Sequence, residues 1–256
     1  MGNHKLWNLL NELKTPTYKW VDLTHELSET TPHWYGFAPF KKEILFDYLE
    51  DTPQAQLAPM RCFSYTVASQ YGTHVDAPNH FIEGGRSLSE IEVSELIYPL
   101  VVIDKVKECA ENPEFTLQIS DLQDWEKIYG RIPENAFVAF RSDWHKKENL
   151  DNPDENGKPH YPGWSVEALT WLVQERNIGA IGHETADTDP SYVTTDSVHY
   201  PYPAEKYILE VDRFQIEVLR NLDQLPATGG IIVTAFPRIK EGVGSPARVF
   251  AIVPND

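Results

Sequence analysis

The stretch QYGTHVDAPNHF, residues 70–81, sets two histidines, an aspartate, a glycine and a proline within one short segment. His74, Asp76 and His80 supply the ligand types that hold a divalent metal, two neutral imidazoles and a carboxylate. In extended backbone His74 and Asp76 share a face, because side chains alternate with period two. A helix is disfavoured: Pro78 pushes Ala77 out of α geometry and cannot serve a helix interior. Gln70 stands four residues before His74, roughly 13 Å in a straight strand, so it reaches the same ion only if the chain bends. Gly72 provides the bend, as a bulge or left-handed turn. His80 lies beyond Pro78 and Asn79 and approaches from a second direction. A polar loop with satisfied histidines is the competing reading; ligand types and spacing favour the metal.

The bulk properties narrow the field. The 256 residues suffice for a sizeable core, and 41% of them are hydrophobic, as in ordinary globular chains. With 22 Lys+Arg against 39 Asp+Glu the formal charge is -17, which argues against nucleic acid and anionic membrane as partners. Two cysteines, Cys62 and Cys109, do not make a disulfide framework. The opening MGNHKLWNLLNELK lacks the apolar core of a signal peptide and reads as an amphipathic helix with Leu6, Leu9, Leu10 and Leu13 on one face. No apolar run reaches membrane-spanning length, and a cytoplasmic location is the default.

Moving outward, residues 20–24 (WVDLT) and 63–69 (FSYTVAS) read as strands, the second leading into the 70–81 stretch. His33, Trp34, Tyr35, Phe37 and Phe40 form an aromatic loop, either a flap over the core or a wall for an apolar substrate. After EGGRSLSEI, a turn and a short helix start, come a buried strand at 100–106 and a helix from Ser120 to Gly130 with Gln123 completing a capping box. A strand at 136–141, a polar excursion at 146–163, a helix capped by Ser165 and a strand at 178–182 follow. This helix-then-strand order predicts a wound α/β arrangement with buried strands at 229–235 and 249–253, in one domain spanning residues 1–256. HETADTDP, residues 183–190, reads as a pocket-edge loop turning at Asp189 and Pro190, although His183, Glu184, Asp187 and Asp189 are ligand types too. Arg141 and Asp143 either pair structurally or line a site. On spacing alone Glu217 reads as a surface residue of a helix.

GTHVDAPNHF resembles the signature of the metal-dependent cyclase-like hydrolases, a family that includes bacterial kynurenine formamidase and isatin hydrolase. DLTHELS, HETADTDP, IEVLRNLDQLP and GSPARVFAI resemble further family blocks in the expected order, so the resemblance covers most of the chain. It implies a swivelling β/β/α fold, mixed sheets with flanking helices, a homodimer or higher homo-oligomer, and hydrolysis of an amide or similar acyl bond by metal-activated water. It also implies metal ligands at Gln70, His74, Asp76, His80, Glu205 and Glu217, with His80 as general base and acid and Glu217 assisting. Two family histidine positions hold Gln70 and Glu205 here, while His199 lies out of register. That substitution makes the donor set richer in oxygen and shifts the metal toward Mn²⁺ or Mg²⁺, with Zn²⁺ also admitted. The expected substrate is a small aromatic or cyclic amide or lactone, with Trp34 and Phe37 as walls. The rivals are an arylformamidase acting on N-formylkynurenine and a metal-free binding protein on the same fold.

Overall fold

The structure is a computed structural model that describes residues 4–48, 60–196, 198–199 and 201–255. Three parallel strands form its centre: β5 (Ile97–Asp104), β7 (Phe137–Arg141) and β9 (Ala180–His183). Their runs LVVI, FVAF and AIGH are apolar at almost every position, as strands covered on both faces must be. Parallel neighbours need long crossovers. Helices α3 (Ile119–Tyr129), α4 (Val166–Arg176) and α6 (Pro203–Glu210) lie in the connections from β5 to β7, β7 to β9 and β9 to β10 (Phe214–Glu217). β10 lies parallel to β9 as a fourth strand of this run, and beyond these four the sheet continues antiparallel on both sides, giving nine strands in the order β1-β13-β11-β5-β7-β9-β10-β4-β12. The outer members are β1 (Tyr18–Asp22), β13 (Arg248–Pro254) and β11 (Gly230–Ala235) on one side, and β4 (His74–Asp76) and β12 (Gly244–Pro246) on the other.

Alternation divides the core into two layers. Leu100, Val102, Phe137 and Ala139 point to one face and join Val21, Val75, Ile216 and Val253, from strands at both ends of the order, so the sheet curls around a shared interior. Val101, Ile103, Val138 and Phe140 point to the other face, against Leu122 and Trp125 of α3, Leu169 and Leu172 of α4, and Ile208 and Leu209 of α6. The result is the mixed α/β fold with flanking helices that the sequence predicts.

Several local expectations are corrected. Helix α3 begins one residue before Ser120, and its capping box is Gln118 with Asp121: the Gln118 backbone N–H donates to Asp121 Oδ2 at 2.8 Å. Asp at the third helical position serves the same need as Gln123 was expected to meet, and it adds a negative charge at the positive helix end. No helix begins within residues 84–92; a single tight turn at Val93–Leu96, capped by Glu92 and Glu95, stands after it. The 63–69 strand is shorter, Cys62–Thr66, and pairs not with the main sheet but with Lys41–Phe46 in a separate ribbon. The amphipathic helix exists at Lys5–Leu13, yet buries none of its residues; the three residues before His4 lie outside the described residues.

Gly72 adopts φ +65°, the left-handed turn expected of it, and a Cβ there would stand 2.8 Å from Thr31 Cγ2. Gly72→Ala is therefore expected to cost ~1–3 kcal/mol and lower the melting temperature by a few degrees. An unchanged thermal melt would show that the turn is not under this constraint.

Candidate active site

Strand β4 pairs antiparallel with β10, with Glu217 opposite His74 and Gln215 opposite Asp76. Val75, Phe214 and Ile216 enter the inner core, so period two turns His74, Asp76, Gln215 and Glu217 together to the helix-covered face. There His74 Nε2 lies 3.4 Å from Asp76 Oδ2 and 3.4 Å from Glu217 Oε2, and all three side chains are almost fully buried. Glu217 thus sits on a buried strand, not on a surface helix, because FQIE follows the end of α6 and feeds directly into the sheet.

The surrounding hydrogen bonds fix the orientation of each group. His74 Nδ1 stands 2.8 Å from the carbonyl of Gly72. A carbonyl only accepts, so Nδ1 carries a proton and Nε2 is the atom turned to the carboxylates. Trp164 Nε1 donates to His183 Nδ1 at 3.3 Å, which leaves His183 Nε2 to donate to Glu217 Oε1 at 3.2 Å. Gln215, fully buried, donates from Nε2 toward Asp76 Oδ2 at 3.2 Å, Glu205 Oε1 at 3.1 Å and Glu217 Oε1 at 3.0 Å, while Thr188 donates to its carbonyl at 2.6 Å.

Charge is concentrated here. Burial alone would depress the His74 imidazole, but Asp76 and Glu217 outweigh it and hold the pKa well above the ordinary value. Burial works to raise Asp76, and His74, with help from His80 and Gln215, turns the balance downward. Glu205 is pushed well up, by burial and then by Glu217, Asp76, Asp187 and Asp189. Asp189 rises to about 6, mainly through burial, even though the backbone N–H groups of Glu205 and Ala204 bond to it and pull the other way.

A divalent cation fits this donor set. His74 Nε2 and Asp76 Oδ1 are buried without a hydrogen-bond partner, a costly arrangement unless something binds them. The Gly72 carbonyl behind His74 and the His183 imidazole behind Glu217 are the outer contacts that orient ligands in metal sites. Gln70, His80 and Glu205 are not in this triad but line the same cavity, whose volume is about 250 Å³. The Gln70 carbonyl oxygen accepts from Ser69, and its unpartnered Nε2 packs near Gly244. His80 Nε2 stands 4.0 Å from Glu205 Oε1 and keeps part of its side chain exposed. Trp34 and Phe37 form the apolar wall, joined by Phe81 and Tyr202. His199 is exposed and pairs with Asp196.

The 183–190 loop divides its labour. His183 supports Glu217, and Asp187 lines the cavity. Asp189 accepts from the backbone N–H groups of Ala204 and Glu205, holding the start of α6 and with it Glu205. Glu184 points elsewhere, accepting from the backbone of Ser142 at 2.8 Å and of Trp144 at 3.2 Å and facing His145. Asp143, His145 and Glu184 approach one another, but Asp143 is held by Arg141 at 2.9 Å and Lys146 at 2.7 Å, so this group is a structural network. Sequence reasoning missed Gln215, Phe81 and Tyr202. Gln215 was findable, since it shares Glu217's face once FQIE is read as a strand.

Because the proton on His74 Nε2 must leave before a cation binds there, affinity for Mn²⁺ should fall as pH falls, with proton release on binding. Calorimetry in two buffers of different ionisation enthalpy reads this directly; heats independent of buffer would count against His74 as a ligand. Asp76→Ala should abolish stoichiometric metal binding, and full metal content in that variant would remove the triad as the metal site.

Comparison with known proteins agrees with this geometry. The Cyclase family model matches residues 21–190. The isatin hydrolase of Roseibium aggregatum is 33% identical over 228 residues, 82% of this chain and 85% of that protein. The kynurenine formamidase of Bacillus anthracis is 28% identical over 235 residues, 91% of this chain and 96% of that protein. Among solved structures, isatin hydrolase A from Labrenzia aggregata bound to benzyl benzoate superposes with a TM-score of 0.87 at 36% identity, covering 98% of this chain and 99% of that one. An isatin hydrolase bound to the product analogue thioisatinate gives 0.87 at 30% identity, covering 99% of this chain and all (100%) of that one. The length of these matches, and the buried triad they accompany, place the chain in the cyclase family, to which it belongs.

Proposed function

We propose that the protein is a metal-dependent hydrolase that cleaves the amide C–N bond of a small, neutral aromatic substrate. The observation that carries this reading is the convergence of His74 Nε2, Asp76 Oδ2 and Glu217 Oε2 beside an aromatic-walled cavity. A divalent cation held by these residues supplies Lewis-acid polarisation and a water of lowered pKa. Two carboxylates against one imidazole make an oxygen-rich set suited to Mn²⁺, with Zn²⁺ and Mg²⁺ as alternatives. His80 Nε2 takes the proton of the attacking water and returns it to the leaving nitrogen as the C–N bond breaks. Trp34 and Phe37 hold the ring and exclude water. Gln70 and Glu205 act from the cavity lining, Glu205 as a neutral acid facing His80.

Among the described residues the lining bears four carboxyl groups, those of Asp76, Asp187, Glu205 and Glu217, and no lysine or arginine. This favours a neutral cyclic amide such as isatin over N-formylkynurenine, whose amino-acid carboxylate would find no lysine or arginine to pair with beside the metal. Turnover of both compounds with added Mn²⁺ and with added Zn²⁺ tests the choice: isatin should be opened, and N-formylkynurenine should be the poorer substrate. Absence of turnover of either compound with both metals would sink the hydrolase reading in favour of a binding protein. His80→Ala should keep metal content and lose at least about a hundredfold in kcat; loss of metal as well would make His80 a ligand.

The exposed leucines of the first helix, Leu6, Leu9 and Leu10, with Trp7 beside them, form an apolar face that suits a second copy of the chain. A homodimer is the expected state in light scattering, and a monomer at micromolar concentration would overturn it.

A further inference from the structure

Asp187 is the cavity carboxylate that stands outside the network around Gln215. Its Oδ2 accepts the hydroxyl of Tyr161. Among the described residues Oδ1 has no hydrogen-bond partner, yet it is not sealed inside protein, and Asp187 lines the cavity. The seat beneath it is rigid. Tyr161 is 5% exposed, and its hydroxyl also lies 2.7 Å from Thr194 Oγ1. Tyr161 and Ser191 are tied twice, by Tyr161 N to Ser191 Oγ at 3.1 Å and by Ser191 N to Tyr161 O at 3.0 Å. Two residues on, Gly163 brings the two segments into backbone contact, since a Cβ there would stand 2.3 Å from Pro190 N. None of these hydrogen bonds reaches His74, Asp76 or Glu217.

The charge balance decides which hydrogen bond Asp187 offers. Asp76 and Glu217 already place two carboxylates in the cavity, and among the described residues lining it there is no lysine or arginine to pair with another. Burial, and then the Glu217 carboxylate, push Asp187 well above the ordinary range, against a smaller opposing pull from Tyr161. Because the Tyr161 hydroxyl occupies Oδ2, a proton on Asp187 resides on Oδ1, the atom left to the cavity.

We propose that Asp187, seated by Tyr161, is a substrate-binding residue that donates a hydrogen bond from Oδ1 to a second acceptor on the substrate, a carbonyl adjacent to the scissile amide. This deepens the functional reading above and rests on it. It makes the enzyme selective for ring amides that carry a neighbouring carbonyl over plain lactams. Neither the triad nor the aromatic wall draws that distinction.

The test uses two probes, isatin, which has the second carbonyl, and 2-indolinone, which lacks it. Equilibrium binding of each is measured by tryptophan fluorescence in the metal-loaded His80→Ala protein, alone and combined with Asp187→Ala, Asp187→Asn or Tyr161→Phe. Asp187→Ala should weaken isatin about tenfold and leave 2-indolinone nearly unchanged. Asp187→Asn, which keeps a donor of the same shape, should hold isatin within about threefold, with Tyr161→Phe between the two. Equal weakening of both probes would mean a structural role and overturn the proposal. So would an Asp187→Asn loss as large as that of Asp187→Ala, which would make Asp187 an acceptor, or no effect of Asp187→Ala. Isatin turnover by the unsubstituted enzyme is read alongside. Its absence overturns the functional reading and this inference together, whereas turnover with any of the three contrary binding patterns overturns this inference alone.

Discussion

The register between β4 and β10 is the constraint on which the site depends. Two short strands, His74–Asp76 and Phe214–Glu217, meet with Glu217 opposite His74 and Gln215 opposite Asp76. A slip of β4 by one residue would turn His74 and Asp76 into the apolar interior and Val75 to the helix side, parting them from Gln215 and Glu217. The hydrophobic pattern that buries Val75, Phe214 and Ile216 is therefore also what assembles the triad. Neighbouring features serve this pairing. The Gly72 turn offers its carbonyl to His74 Nδ1, and β9 on the far side of β10 contributes His183 to Glu217.

Assembling the triad creates an electrostatic problem, and the rest of the cavity answers it without cations from the protein. Gln215 spreads its amide over three carboxyl groups, and the first turn of α6 gives Asp189 two backbone N–H groups. Both devices satisfy oxygen atoms without adding charge. Burial, joined by the neighbouring carboxylates, pushes Glu205 and Asp187 well above the ordinary carboxylate range. What no neutral donor satisfies is the buried Asp76 Oδ1 and the face of His74 Nε2. Of the five buried side-chain atoms left without a partner among the described residues, two belong to the triad and a third, Gln70 Nε2, to a residue lining the same cavity, an arrangement suited to a bound cation.

Much of this was legible in the sequence. The period of two at His74 and Asp76, the left-handed Gly72 and the Ser165 cap follow from local chemistry, and all are present. The central strands declare themselves through unbroken apolar runs. Glu217 was harder, because the charged residues in PAEKYILEVDRFQIE hide the point where a helix ends and a buried strand begins. Only the pairing with β4 explains how Gln215 and Glu217 can be buried at all. The Gln118–Asp121 cap and the separate Cys62–Thr66 ribbon were missed for a related reason: both depend on which competing local partner wins, a choice made by packing.

The polar stretch 146–163 illustrates the limit most clearly. Its Asp, Asn, Pro and Gly content marks a surface excursion, and most of it is one. Its last residues nevertheless return to the interior, where Tyr161 and Trp164 are buried and reach Asp187 and His183. Composition describes the exposed part of such a loop and says nothing about where its end lands. Here the landing is fixed by Gly163, which lets the returning chain lie against Asp189 and Pro190 at a distance no side chain would permit. One glycine thus sets the depth at which Tyr161 meets Asp187 and Trp164 meets His183. The triad's outer support and the cavity's second polar anchor share that single close approach.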